Sequence, residues 1–249
     1  MKKLLVLILA IAVFVPLAKG ESIGKVSFMI GKVKVKAKAA ADWKDARMNL
    51  PVSGGDQVTT GKAERLELTL RDGSVIRIAE ESEVTLDCPA GKSISPVVQK
   101  GKLWGNIKKL GQRNYDFEVT TGTATAAIRG TVFRVDNNAQ DSLSSVLVYD
   151  GKVEVGPGKQ LEKTIEASGQ KAFERKEVAG PQEVPGPFEV TLMDWVSIVK
   201  GQRIDVQKNG KYNKFKFNEK QDAQDDWVKF NKERDLATPV SHEGGKTGE

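Results

Sequence analysis

Side chains that perform covalent or metal chemistry are scarce in this 249-residue chain, which has one histidine and one cysteine. His242 sits in Ser241-His-Glu-Gly-Gly-Lys-Thr-Gly-Glu249, a stretch too polar to pack. A Ser–His or Cys–His pair, or a histidine-ligated metal, has no rigid platform there. Cys88 reads as a small buried hydrophobe, and a lone cysteine excludes disulfide scaffolds and cysteine zinc sites. Gly244-Gly-Lys-Thr247 imitates the end of a phosphate-binding loop, but the glycine five places before Gly245, the preceding strand and the following helix are missing. Asp136-Asn-Asn-Ala-Gln-Asp141 and Asp205 to Gly210 offer oxygen ligands without calcium-loop spacing, and read as turns. The carboxylate pairs Glu80-Glu81 and Asp225-Asp226 fall on polar faces, whereas acid–base catalysis needs a sheltered cleft. These residues point to a non-enzymatic protein with no metal and no cofactor; a periplasmic hydrolase is the most distant alternative.

Binding chemistry is better represented. In Lys32-Val-Lys-Val-Lys-Ala-Lys38 every even position is lysine and every odd one apolar. Such a strand has one wet and one packed face, and Lys32, Lys34, Lys36 and Lys38 form either a docking strip for an anionic polymer or a solvated edge guarded against aggregation. The formal charge is +6. Met1-Lys2-Lys3, the apolar run Leu4 to Val15 and the small residues Ala18 and Gly20 read as a secretory signal peptide over residues 1–20. The run is shorter than the ~20 residues a spanning helix needs, so no stable membrane span is expected after its removal. Loss of Lys2, Lys3 and Lys19 takes the charge from +6 to +3, too mild for nucleic acid as the main partner. The expected location is exported, periplasmic or otherwise extracytoplasmic.

The elements that must hold these residues are strands. Residues 24 to 155 alternate in period two, rich in Val and Thr and punctuated by Gly. Part of this region repeats. Val58-Thr-Thr-Gly61-Lys-Ala63 recurs as Val119-Thr-Thr-Gly122-Thr-Ala124, and Asp72-Gly-Ser-Val-Ile-Arg-Ile78 recurs as Arg129-Gly-Thr-Val-Phe-Arg-Val135. The fold class is therefore mainly β, a solenoid-like or two-layer stack of short strands with a small C-terminal α/β appendage. Ser53 to Asp56, Asp72-Gly73, Asp136 to Asn138 and Asp150-Gly151 mark turns, with Asp72-Gly73 and Asp150-Gly151 the best hairpin signals. Trp43, beside small residues, is expected to cap one end of the core. Residues 21–175 form the β domain, and the Pro/Gly-rich 176–187 a stiff connector. In 188–235, Val190 to Lys200 suits a short amphipathic helix or, given its apolar crowding, a strand. Asn209-Gly210 suits a hairpin, and Asn218 to Asp235 a helix with Asn218 as N-cap and Ala223, Trp227 and Phe230 on one face. Residues 236–249 read as a disordered tail.

The ordered motifs resemble the periplasmic domain of FecR-type proteins. They are Gly31-Lys-Val-Lys-Val35, Gly55-Asp56-Gln-Val-Thr-Thr60, Asp72-Gly73-Ser74, Arg129-Gly130-Thr131-Val-Phe133-Arg-Val135 and Gly151-Lys-Val-Glu-Val155. The resemblance covers roughly residues 24–160 and implies a β-rich extracytoplasmic domain of the kind used by transmembrane anti-sigma regulators. Only Met1-Lys2-Lys3 precedes the apolar segment, so no sigma-factor binding carries over. The expectation is a stand-alone exported module that binds an envelope protein or a cell-wall glycan. Family likeness also suggests an alternative, a signalling component self-cleaved at Gly130-Thr131. There the Thr131 hydroxyl would attack the preceding carbonyl if the turn strained that peptide; the competing reading is a tight turn at Gly130 followed by a strand.

Overall fold

The structure, a computed structural model, describes residues 22–89, 93–109, 117–158, 190–192 and 194–237. The expected signal segment, the 176–187 connector and residues 238–249 lie outside these residues.

The alternating residues form strands in two layers. The first sheet runs, in spatial order, β4 (Pro51–Ser53), β1 (Ser22–Ile30), β6 (Arg65–Leu70), β7 (Val75–Ile78), β9 (Ser95–Asn106), β12 (Val132–Asn138), β13 (Leu143–Asp150), β17 (Gln202–Gln207), β18 (Lys211–Lys216) and β15 (Val190–Thr191). The second runs β3 (Lys44–Asp45), β2 (Lys34–Lys36), β5 (Asp56–Thr59), β8 (Glu83–Asp87), β9 again, β10 (Phe117–Thr120), β11 (Ala124–Ile128), β14 (Lys152–Pro157) and β16 (Val196–Val199). Neighbours are antiparallel except β9 and β10. The expected mainly β class is what the chain adopts, and all the described strands join through β9.

β9 belongs to both layers because it bends at Gly101. That residue has φ +94, and a Cβ there would lie 2.6 Å from the Ser82 Cα. Its first half pairs with β8 in the second sheet, and its second half lies between β7 and β12 in the first. The inner faces meet as one core. Leu66, Leu68, Ile76, Ile78, Leu103, Phe133, Val146 and Ile204 come from the first sheet, and Val58, Val84, Leu86, Val98, Val119, Ile128 and Val153 from the second. Each such burial contributes about 1.5–3 kcal/mol against exposure. Cys88 is half-buried and packs against this core.

Three expectations about turns and packing need correction. Asp72-Gly73 turns a hairpin, β6 to β7, but Asp150-Gly151 is a corner that carries the chain from β13 in the first sheet to β14 in the second. Asp136 to Asn138 is not a turn but the end of β12, and the reversal comes after it. Trp43 does not cap the core: it is 41% exposed, with the Lys36 ammonium 5.2 Å above its ring. Of the two readings left open for Val190 to Lys200, the strand is the one found at Val196–Val199, which has backbone partners on β14. The Asn209-Gly210 hairpin forms between β17 and β18.

Two helices follow, α1 (Glu219–Asp222) and α2 (Asp226–Ala237). The Asn218 side chain accepts from Lys220 N and Gln221 N, as an N-cap should. Asp225 accepts from Trp227 N and Val228 N, which restarts the helix after a break at Ala223 and Gln224. Leu236 and Ala237, expected in the tail, complete α2. Among the described residues no helix is long and apolar enough to cross a membrane.

Candidate functional site

The repeat has a structural consequence on the outer face of the first sheet. β7 and β12 flank β9 in the same register: Val75 and Val132 both oppose Asn106, and Arg77 and Arg134 both oppose Trp104. Residues in register share a face, so one row crosses the sheet as Phe28, Glu67, Arg77, Trp104, Arg134, Leu147, Arg203 and Phe215. The matched positions of the two repeats thus deliver two arginines, one on each side of a tryptophan.

Arg77, fully buried, donates through Nε to Glu67 Oε2 at 2.7 Å and through Nη1 to Asp235 Oδ1 at 2.6 Å. Asp235 also accepts from Trp104 Nε1 at 3.0 Å. Arg234 makes a two-point pair with Glu67, 2.7 Å from Nε and 3.0 Å from Nη2. Burial alone would raise the Glu67 pKa, but hydrogen bonds from Arg234, Arg77 and Ser27 outweigh it and hold the pKa at about 2. On the other side of Trp104, Arg134 pairs through Nη1 with Asp222 at 3.1 Å and through Nε with Asp136 at 3.0 Å. Tyr149 donates to Asp222 Oδ2 at 2.7 Å and stacks on Trp104 with centroids 4.5 Å apart. Burial pushes the Tyr149 hydroxyl up, and its bond to Asp222 adds to that. Cations over rings complete the contact: Arg65 lies over Phe230 at 4.6 Å and Arg234 over Phe28 at 3.9 Å.

This strip ends in a cleft of about 830 Å³. Its walls are the Gly101 bend with Lys100 and Lys102, the end of β12 at Asn138 with Gln140 in the loop after it, and Trp227 at the start of α2. Asp136 lies in it, its carboxyl pKa raised by burial in spite of Arg134, Lys102 and Arg203. Trp227 is 4% exposed, and its buried indole Nε1 has no hydrogen-bond partner. The lining mixes Arg65, Lys100 and Lys102 with Glu80, Glu81 and Asp136, so it selects neither anions nor cations outright and suits a polar surface of mixed charge.

The residues singled out from sequence fall elsewhere. Lys34 and Lys36 lie on β2 in the second sheet, with Lys32 and Lys38 just beyond its ends, while Val33 and Val35 pack inward. Gly55, Gly130 and Gly151 are corners where the chain changes sheets, with φ of +94, +61 and +84. Asp56 caps its corner by accepting from Ser53 N and Lys38 N. Asp72 accepts from Ser74 N and Ser74 Oγ in the β6–β7 hairpin. Arg129 precedes the Gly130 corner, and Phe133 fills the core opposite Gly105. Thr131 is fully buried, and its hydroxyl donates to the Lys152 carbonyl at 3.0 Å and the Arg129 carbonyl at 3.3 Å. Sequence reasoning assigned no role to Arg77 or Arg134. The available signal was one arginine between apolar residues at matching places of the repeat, in Val75-Ile-Arg-Ile78 and Val132-Phe-Arg-Val135.

Residues 56–154 match the family model described as FecR protein. That match bears out, over this stretch, the resemblance read from the motifs. The matched segment begins at β5, ends within β14 and contains both arginines and Trp104. Two crystal structures, both of a "putative anti-sigma factor" from Parabacteroides distasonis ATCC 8503, at 2.50 and 1.65 Å resolution, are similar to the chain at 18% identity with a TM-score of 0.45. The similarity covers 65% of this chain and 60% of theirs. No curated protein matches the chain.

Proposed function

We propose that this protein is an exported, non-enzymatic module of the cell envelope, serving regulation or signalling, that binds a protein or glycan partner through the cleft beside the Gly101 bend. The FecR domain supports the regulatory class. The observation that carries the site is the cleft itself, whose lining combines charges of both signs with Asn138, Gln140 and Asp136. Asp136 is held by Arg134, which makes it a recognition group anchored in place. The domain plan that goes with this reading is a removable segment 1–20, the β domain to about residue 175, a connector over 176–187 and the appended hairpin and helices.

The test is site-specific photo-crosslinking of the full chain in its native envelope. A photoreactive residue at Gln140 reports the cleft, and one at Lys34 reports the lysine ladder. A discrete adduct from Gln140 that is absent from Lys34 and lost in Asp136→Asn supports the cleft. An adduct only from Lys34 would move the binding site to the ladder, and none from either position would overturn the proposal.

A further inference from the structure

We infer that residues 218–237 form a releasable clip, lying in cis on a docking strip, Arg77–Trp104–Arg134, that receives an acidic helix of a partner protein when the clip lifts. This surface adjoins the cleft, since Trp227 lines both, and the clip does not depend on the cleft's having a partner.

The clip is joined to the sheet by a small apolar cluster ringed with ion pairs. In α2 only Trp227, Val228 and Asn231 are buried. Trp227 and Val228 pack with Ala79, Trp104, Leu147 and Tyr149 in a second apolar cluster, which Phe230 flanks, and around it lie carboxylates on arginines and guanidinium groups on rings. Lifting the clip therefore uncovers Trp104, Leu147 and Tyr149 beside Arg77 and Arg134, an apolar centre with a charged rim that a replacement helix, rather than solvent, suits. The larger hydrophobic core is on the opposite face of the sheet, closed by the second layer, so opening leaves Ile76, Leu103 and Phe133 covered.

The fit in cis is also incomplete. Among the described residues, Arg77 Nη2 is buried without a hydrogen-bond partner, and so is Trp227 Nε1. An unmade hydrogen bond at a buried donor is costly, and at a guanidinium it marks a position that one more carboxylate oxygen would fill. The clip supplies the template for what binds: an aromatic–aliphatic pair as at Trp227 and Val228, an amide one turn on as at Asn231, and a carboxylate two turns on as at Asp235. A partner helix with that pattern and an additional acid within reach of Nη2 satisfies the strip better than the clip does.

Two measurements on the full chain decide the matter. In hydrogen exchange, amides of 219–237 are expected to exchange at least about 100-fold faster than those of β7, β9 and β12, as for a unit that opens alone. Equal protection would overturn the clip. The binding probe is a labelled synthetic peptide of residues 218–237. It is expected to bind Asp222→Asn/Asp235→Asn chain, whose own clip is weakened, at least about tenfold more tightly than wild type. Trp104→Phe, which removes the indole donor and keeps a ring, should weaken peptide binding to that chain. Equal binding to both chains, or none to either, would refute the docking strip. A concentration-dependent wild-type dimer would assign the strip to a second copy and overturn the partner helix.

Discussion

Replacing Arg77 by methionine probes whether the buried ionic strip holds the C-terminal clip. Methionine keeps much of the apolar stem and removes the guanidinium, which is fully buried and pairs with Glu67 at 2.7 Å and Asp235 at 2.6 Å. Glu67 would retain Arg234, and Asp235 would retain the Trp104 indole, so neither carboxylate is left bare. Removing one partner of a buried ion pair typically costs about 3–5 kcal/mol. The retained donors put Arg77→Met at the lower end, about 3 kcal/mol, if clip and sheet unfold together. For a chain of this size each kcal/mol moves Tm by about 2–4 °C, so the expected drop is roughly 6–12 °C. Paired urea and thermal melts on wild type and variant provide the measurement. Asp226→Asn is the control, because Asp226 is 89% exposed and its 3.9 Å contact with Lys229 is a solvated surface pair; its effect should stay within about 0.5 kcal/mol. An Arg77→Met loss below about 1 kcal/mol, with clip amides as protected as before, would refute the assignment of the strip as the clip's anchor.

Two further outcomes follow from named groups. Glu67 has a native pKa of about 2 against an ordinary 4.5, so its stabilising contribution is complete above 4.5 and declines as pH falls toward 2; urea midpoints of wild type should fall over that window, and those of Glu67→Gln should fall less. At the Gly130–Gly151 corner pair, Gly151→Ala forces a Cβ at φ +84 to within 2.9 Å of the Gly130 carbonyl oxygen and should cost about 1–3 kcal/mol in urea melts, whereas Thr131→Ala should leave the intact mass of envelope-purified chain uncut on either side of Gly130, because in wild type the Thr131 hydroxyl is already donated to the Lys152 carbonyl; wild type isolated as two fragments divided there would sink the second expectation.

Local pattern carries local structure, and here it reached as far as the strands and the repeat. Alternation in Lys32 to Lys38 and around Asp72-Gly73 is visible in the sequence because a strand's two faces are set residue by residue. The same dipeptide chemistry could not distinguish Asp72-Gly73 from Asp150-Gly151. Both supply the left-handed glycine, at φ +82 and +84, but one joins partners in a sheet and the other joins the two layers. The spacing of Leu192, Trp195, Val196 and Val199 serves a helix or a strand, and pairing with β14, some forty residues earlier in the chain, decides it. The strip was hidden for a similar reason. An arginine in the polar slot of a strand reads as solvated, and only a segment beginning at Asn218 covers Arg77 and Arg134.

The duplicated segment explains why the site has the shape it does. A pure solenoid would lay the second repeat directly beside the first and bring the two arginines into neighbouring strands, where like charges directly opposite each other are destabilising. Inserting β9 between β7 and β12 separates them by one strand and places Trp104 in the gap. Each arginine then acquires its own carboxylate from the sheet, Glu67 for Arg77 and Asp136 for Arg134. The clip adds one more to each, Asp235 from α2 and Asp222 from the end of α1. The break between α1 and α2 is what lets one short segment meet both repeats, since Asp222 and Asp235 must reach opposite sides of the same tryptophan. Trp227 belongs both to the clip and to the cleft wall, so a ligand filling the cleft would favour the closed clip, and lifting the clip would dismantle the cleft. Two proposed surfaces that share one side chain in this way would be coupled by geometry, a property that suits the proposed regulatory role.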